Sequence, residues 1–275
     1  KTWVELNTSI TDATSGVNTT ECYYTLNDFT SNQSYNCAYI NITNFADGPH
    51  TVKVIAVDKA GNFNTTQEAS FTTDHNLPAL AIQEPLNQWH SSVPSLNYTV
   101  SDSSGISKCW YSLNEWAVNT TLVNCQNLTL TESSQGVNTV YLAVNDTAGI
   151  VNTVSRAYSF DTANPNVVLN KPLSIMYLQN WVELNTSITD ATSGVNTTQC
   201  YYSLNNFVSN QSFNCVYINI TGFADGPQTM KVIAKDVAGN YNATQQVSFT
   251  VHTTVPALAI QQPLNQWHSS VPLLN

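Results

Sequence analysis

The stretch HTVKVIAVDKAGNFNTT, residues 50–66, decides the architecture. Side chains of an extended chain alternate between two faces, so Val52, Val54 and Ala56 share one face while Lys53, Ile55 and Val57 share the other. The first set is wholly apolar. The second mixes charge with aliphatic groups, as a face turned to solvent or to a neighbouring module does. Asp58 to Asn62 then reads as a hairpin turn, with Gly61 supplying a positive φ and Asp58 accepting hydrogen bonds from the turn amides. The run from Phe63, FNTTQEASFT, is the returning arm. The pattern occurs twice more. Val140, Leu142 and Val144 oppose Tyr141, Ala143 and Asn145 before Asp146 and Gly149, and Met230, Val232 and Ala234 oppose Lys231, Ile233 and Lys235 before Asp236 and Gly239. One apolar and one wetter face describe an antiparallel sandwich. Ile150 stands where Asn62 and Asn240 stand, so the second turn is expected to differ.

These copies belong to a larger repetition. Trp3 returns as Trp181 and Trp89 as Trp267, a constant offset of 178 residues, and roughly three quarters of the overlapping positions are identical, the mark of a duplicated long unit. That unit is itself double, because CYYTLN, CWYSLN and CYYSLN begin at Cys22, Cys109 and Cys200. A module of about 90 residues results, the size of one sandwich. Pro-bearing junctions place module one at residues 1–76, module two at 77–162, module three at 163–253 and the opening strand of a following module at 254–275. No Gly/Ser run separates them, so a stiff rod is expected. Module one begins without the strand that ALAIQEP and NVVLNKP supply to the others, and the tail carries such a strand without a body. A window of a longer repetitive chain explains this. So does strand exchange between subunits, although the tail matches the start of module two and not of module one.

In the cysteine strands, Cys22, Tyr24 and Leu26 are expected on one face, with Tyr23 and Thr25 on the other. The six cysteines fall two to a module, and separations of 15, 16 and 15 residues fit two strands and a short loop. Three local disulfides are predicted: Cys22 with Cys37, Cys109 with Cys125, and Cys200 with Cys215. Neither CxxC spacing nor nearby histidines accompany them, which argues against zinc and for an oxidising compartment.

Eight basic against 18 acidic residues give a formal charge of −10, which excludes a phosphate-neutralising nucleic-acid surface. No apolar run approaches the length of a membrane span, and the first residues lack the apolar core of a signal peptide. With 9% charged and 42% hydrophobic residues, solubility falls to Asn, Thr, Ser and Gln or to something attached to them. N-x-S/T acceptors are dense: Asn7, Asn18, Asn32, Asn41, Asn64, Asn97, Asn119, Asn127, Asn145, Asn185, Asn196, Asn210, Asn219 and Asn242. Asn145 is expected on an outward face. Covalent N-glycans would keep such a rod soluble and blunt its sheet edges.

No GxSxG, HExxH or phosphate-binding loop occurs. Gln228 replaces His50 and Thr253 replaces His75 in the duplicated copy, so neither histidine serves a repeated catalytic role; His90 and His268 recur beside a Trp and read as surface or junction residues. No catalytic residue, cofactor or metal is therefore expected. Calcium is the rival: Asp12, Asp102 and Asp190 lie in DATSG or DSSG loops and Asp58, Asp146 and Asp236 in the turns, but they are spread singly along the chain, whereas calcium wants six to eight oxygens.

The series formed by Asp102 to Gly105, Cys109 to Asn114 and Val54 to Asn62 resembles the immunoglobulin-like repeats of bacterial and archaeal cell-surface proteins. That resemblance implies an all-β chain of tandem immunoglobulin-like antiparallel β-sandwich domains, one disulfide each, at the cell surface or outside the cell. Stalks, sheaths, filaments, S-layer modules and adhesin shafts are its expected roles, with copies of itself and neighbouring modules as partners. An adhesive or glycan-binding module, marked by exposed Trp89, Trp116 and Trp267, is the second expectation, and an accessory region of a secreted enzyme the third.

Overall fold

A computed structural model describes residues 3–66, 68–131, 133–261 and 267. Two units divide the chain: residues 1–84, 96–128 and 140–156 form one, and residues 85–95, 129–139 and 157–275 the other. The strands Gly136–Asp146 and Val151–Phe160 contribute residues to both.

The second unit shows how these residues make a sandwich. Trp181–Thr189 lies between Asn166–Lys171 and Tyr217–Thr221, pairing antiparallel with each. Val195–Ser203 likewise pairs with Gln211–Ser212 and with Gly226–Asp236. Val182 and Leu184 of the first sheet meet Cys200, Met230, Val232 and Ala234 of the second in one core, closed by Phe249 and Val251. The alternation read from the sequence sets this core, because Met230, Val232 and Ala234 are fully buried while Lys231 and Ile233 are half-buried and Lys235 is exposed. The chain is thus an all-β tandem of immunoglobulin-like sandwiches. Two short pairs run parallel: Met176–Tyr177 beside Val247–Val251, and Trp89–His90 beside Ser159 and Phe160.

The first unit repeats the plan. Val17–Thr25 pairs with Gln33–Tyr35 and Gly48–Asp58, and Trp3–Asn7 with Tyr39–Thr43. Gly48–Asp58 is long enough to pair with Phe63–Thr65 at one end and Ala69–Thr73 at the other. Its core joins Cys22, Tyr24, Tyr35, Ile42 and Val54. Val52 and Ala56 are only half-buried here, and for Ala56 a physical reason is visible beside it. A groove of about 490 Å³ runs past Ile10, Val17, Val54, Ala56 and Phe63, along the edge that corresponds to Asn185–Thr189, where Asn166–Lys171 pairs. In the same unit Ala79–Glu84 does find its partner strand, with Asn97 opposite Glu84 and Ser101 opposite Ala79.

The strand ends depart from simple alternation. Leu26 is exposed and Thr25 is buried, because Val17–Thr25 stops at Thr25. The Thr25 hydroxyl donates to Asn27 Oδ1 (3.0 Å) and accepts from the Phe29 amide (3.0 Å). Ser112 does the same with Asn114 and Trp116, and Ser203 with Asn205 and Phe207. Each buried hydroxyl thereby holds a turn whose aromatic residue has positive φ: 66° at Phe29, 70° at Trp116 and 67° at Phe207. Ala143 also departs, being buried on the face expected to be wet.

Disulfides join Cys22 to Cys37, Cys109 to Cys125 and Cys200 to Cys215, with Cα separations of 5.1, 5.2 and 5.2 Å. The second cysteine is not a strand residue. Cys37 and Cys215 follow the short strand and Cys125 ends the 3-10 turn after it, at φ 64°, 68° and 53°, so the bridge ties a strand to a bend. Closing loops of this length stabilises a fold by roughly 3 kcal/mol. Replacing Cys200 and Cys215 together by serine is expected to lower the stability of that sandwich by about this amount, read as a shift in urea midpoint at unchanged far-ultraviolet circular dichroism.

Candidate functional site

Each hairpin turn after the long core strand is built by one carboxylate. Asp58 Oδ1 accepts the Asn62 amide at 2.9 Å, Asp146 Oδ1 the Ile150 amide at 2.8 Å, and Asp236 Oδ1 the Asn240 amide at 2.8 Å. The return bonds Asp58 N to Asn62 O, Asp146 N to Ile150 O and Asp236 N to Asn240 O close the same ring. The backbone of the Ile150 turn therefore matches its copies, contrary to the expectation that it would differ, since the ring is made by main-chain groups that Ile150 also possesses.

A second carboxylate organises the facing loop. Asp12 Oδ1 gathers the amides of Thr14, Ser15 and Gly16, and Asp190 Oδ1 those of Thr192, Ser193 and Gly194. Asp102 Oδ1 accepts the Ser104 amide and hydroxyl, each at 2.7 Å. These amides hold Asp12 below the usual carboxylate range, the Gly16 amide most. The loop is then stitched to the turn: Lys59 N donates to Gly16 O, Thr147 N to Gly105 O and Val237 N to Gly194 O.

That stitching brings together side chains that are far apart in sequence. Asp74, Asp102 and Asp146 offer oxygens within 4.8 Å of one another, and so do Asp161, Asp190 and Asp236. The acidic residues are consequently not spread singly in space. Asp74 and Asp161, absent from the sequence-level candidates, each stand four residues before a junction proline, Pro78 or Pro165; that shared position was the available signal. Asp146, Asp161 and Asp236 are 1%, 0% and 1% exposed. The two groups differ in how their second carboxylate oxygens are satisfied. Asp236 Oδ2 accepts the Asn240 side-chain amide at 2.8 Å, as Asp58 Oδ2 accepts that of Asn62 at 2.8 Å. Ile150 has no such donor, and Asp146 Oδ2 is buried without a hydrogen-bond partner among the described residues, as is Asp74 Oδ2.

The histidines serve the framework. His50 Nε2 lies 2.7 Å from Ala46 O, and Gln228 Nε2 donates to the equivalent Ala224 O at 3.0 Å, so one hydrogen bond is retained through the substitution. His75 and Thr253 both address an aspartate, Asp47 and Asp225. His90 packs its edge on Tyr158 and lies 3.1 Å from Leu86 O; His268 lies outside the described residues, as does most of 254–275. Trp89 and Trp116 are half-buried, Trp116 against Tyr141, and Trp267 is exposed.

Of the glycan acceptors, Asn7, Asn32, Asn41, Asn64, Asn119, Asn127, Asn210, Asn219 and Asn242 are exposed; Asn18, Asn97, Asn145, Asn185 and Asn196 are half-buried. Asn145 does not face outward as expected: its Oδ1 is shut off from solvent, on the same covered face as Ala143. Asn242 Nδ2, the atom a glycan would take, donates to Pro165 O at 3.0 Å.

No protein-family model matches the chain, and no curated protein matches it. Solved structures that resemble it include fibronectin(III)-like modules of Clostridium thermocellum CbhA, 12% identical, covering 67% of this chain and 100% of that one at a TM-score of 0.42. Three N-terminal domains of the bacteriophage RB49 highly immunogenic outer capsid protein are 14% identical, covering 90% and 93% at 0.46. A bacterial ice-binding adhesin is 16% identical, covering 86% and 89% at 0.34. The sandwich fold stands on the strand pairing itself.

One titration can be placed. The hydroxyls of Thr254 and Thr253, then the Thr253 amide, hold the Asp225 carboxyl far below its ordinary value. A carboxyl lowered in the folded state stabilises fully above the unfolded value, near pH 4, and loses that contribution as pH falls toward the folded value. Urea midpoints measured from pH 5 to pH 2 are expected to fall less steeply in Asp225→Asn than in the native chain.

Proposed function

We propose that this chain is a non-catalytic repeat segment of an extracellular or cell-surface structural protein, a filament, sheath, S-layer or stalk. In this reading residues 1–76, 77–162 and 163–253 are successive modules, joined to one another and to further copies, and N-glycans coat the exposed acceptors. The observation that carries it is the recurrence of one framework. The disulfide, the hydroxyl-held turn and the carboxylate-held turn are rebuilt in each copy, and polar side chains that could do chemistry are spent on closing the backbone. The cystines support an oxidising location. No helix among the described residues is long and apolar enough to cross a membrane. Half-burial of Trp89 and Trp116 favours the rod over the adhesive module, whose mark would be an exposed aromatic cluster.

Negative-stain microscopy of the native material is expected to show long regular fibres or a lattice, and discrete short particles that bind sugar arrays would overturn the structural reading. Peptide mapping by mass spectrometry is expected to find glycans at exposed acceptors such as Asn32, Asn119, Asn210 and Asn219, with Asn145 unmodified.

Strand exchange between subunits is a second reading, favoured by the groove beside Ile10 and Val54 and by the exposure of Leu258 (94%) and Ile260 (73%) in the tail. Edge-strand addition uses such a groove and such a segment. If exchange operates, deleting residues 254–275 converts a concentration-dependent oligomer into a monomer in light scattering after size exclusion. An oligomer that survives the deletion would exclude the tail as donor.

A further inference from the structure

We propose that Asp74, Asp102 and Asp146 form a calcium site. Three carboxyl groups converge, with oxygens within 4.8 Å of one another, and the mutual repulsion of like charges so close favours a cation among them. Among the described residues no basic side chain is bonded to any of the three. Asp146 is 1% exposed, and its Oδ2, like Asp74 Oδ2, is buried with no donor. A buried carboxylate oxygen left without a partner is costly, and a cation removes that cost for all three groups at once.

The copies of the same turn make the point sharper. At Asp58 and Asp236 the second carboxylate oxygen is satisfied by the side-chain amide of Asn62 or Asn240, and Asn240 also donates to Asp161 O at 2.8 Å. In the Asp161, Asp190 and Asp236 group the asparagine thus supplies the donor that Asp146 Oδ2 lacks. Asp161 Oδ2 there accepts the Ser193 amide as well. Ile150 keeps the backbone ring of that turn and withdraws only the amide. The sequence difference and the orphaned oxygen coincide.

The ligand chemistry selects the ion. All donors are hard oxygens, with no histidine or cysteine in the group, which disfavours zinc and copper. Calcium accepts carboxylates in flexible shells of six to eight oxygens, whereas magnesium demands near-ideal octahedral geometry and keeps most of its waters. Three carboxylates supply at most six oxygens, so water completes the shell. Because Asp74 precedes the junction proline while Asp102 and Asp146 belong to the sandwich that follows it, the ion would tie that linker to the loops of the next sandwich.

The test is calorimetric titration of CaCl2 into the chelator-stripped chain. The native chain is expected to bind calcium with a dissociation constant of about 10⁻⁴ to 10⁻³ M, the range of extracellular modules. Asp146→Asn and Asp102→Asn should each lose one equivalent, or at least tenfold in affinity, with circular dichroism confirming the fold. Ile150→Asn, which installs a side chain already accommodated by the two sister turns, should also weaken the site at least tenfold, while Asp190→Asn leaves it unchanged. The proposal is overturned by the absence of binding at 10 mM CaCl2, by unaltered binding in Asp146→Asn or Ile150→Asn, or by an equal response to MgCl2.

Discussion

A carboxylate oxygen accepting the backbone amides of its own bend is the interaction on which this architecture turns. Asp58, Asp146 and Asp236 close the hairpin after the longest core strand, and Asp12, Asp102 and Asp190 close the loop that faces it. Amides that a reversing chain cannot pair in a ladder would otherwise be left without acceptors. With both bends held, one backbone bond between them, such as Val237 N to Gly194 O, is enough to align the strands that carry the core. Glycine is needed at Gly105 and Gly194 because these bends demand φ of 95° and 80°.

The same economy explains how a chain with few charges remains well ordered. Buried hydroxyls at Thr25, Ser112 and Ser203 take the place of water at the turn amides, each donating one hydrogen bond and accepting two. Such substitutions of local polar contact for charge leave the surface dominated by uncharged amides and hydroxyls. The aspartate clusters are the exception, concentrating negative charge beside two of the hairpin turns.

Much of this was legible in the sequence where the information is local. Period-two alternation at Val140, Leu142 and Val144, and at Met230, Val232 and Ala234, marks the core because strand geometry alone fixes which side chains share a face. It failed at Leu26 and Thr25, where the strand ends and a side-chain hydroxyl, not the pleat, sets direction. The positive φ of Cys37 and Cys215 was equally hidden, since spacing constrains how far a cysteine must reach and not the backbone conformation from which it does so. Convergence of Asp74 with Asp102 and Asp146 depends on contacts across 28 and 72 residues, which no window of sequence contains. The copies speak to one another more plainly: His50 and Gln228 look unrelated as residue types but donate to the same carbonyl position, and Ile150 lacks the side-chain amide that Asn240 shares between Asp236 Oδ2 and Asp161 O.

The bend-to-strand cystine carries a mechanical corollary. Cys200 and Cys215 enclose 15 residues of separation, about 50 Å of fully extended chain. Under tension that length stays folded away behind the covalent shortcut, so a pulled module yields less slack than the same sequence with thiols. A tether assembled from such modules would keep its reach nearly constant until whole sandwiches gave way, and the redox state of its surroundings would set how far it could stretch.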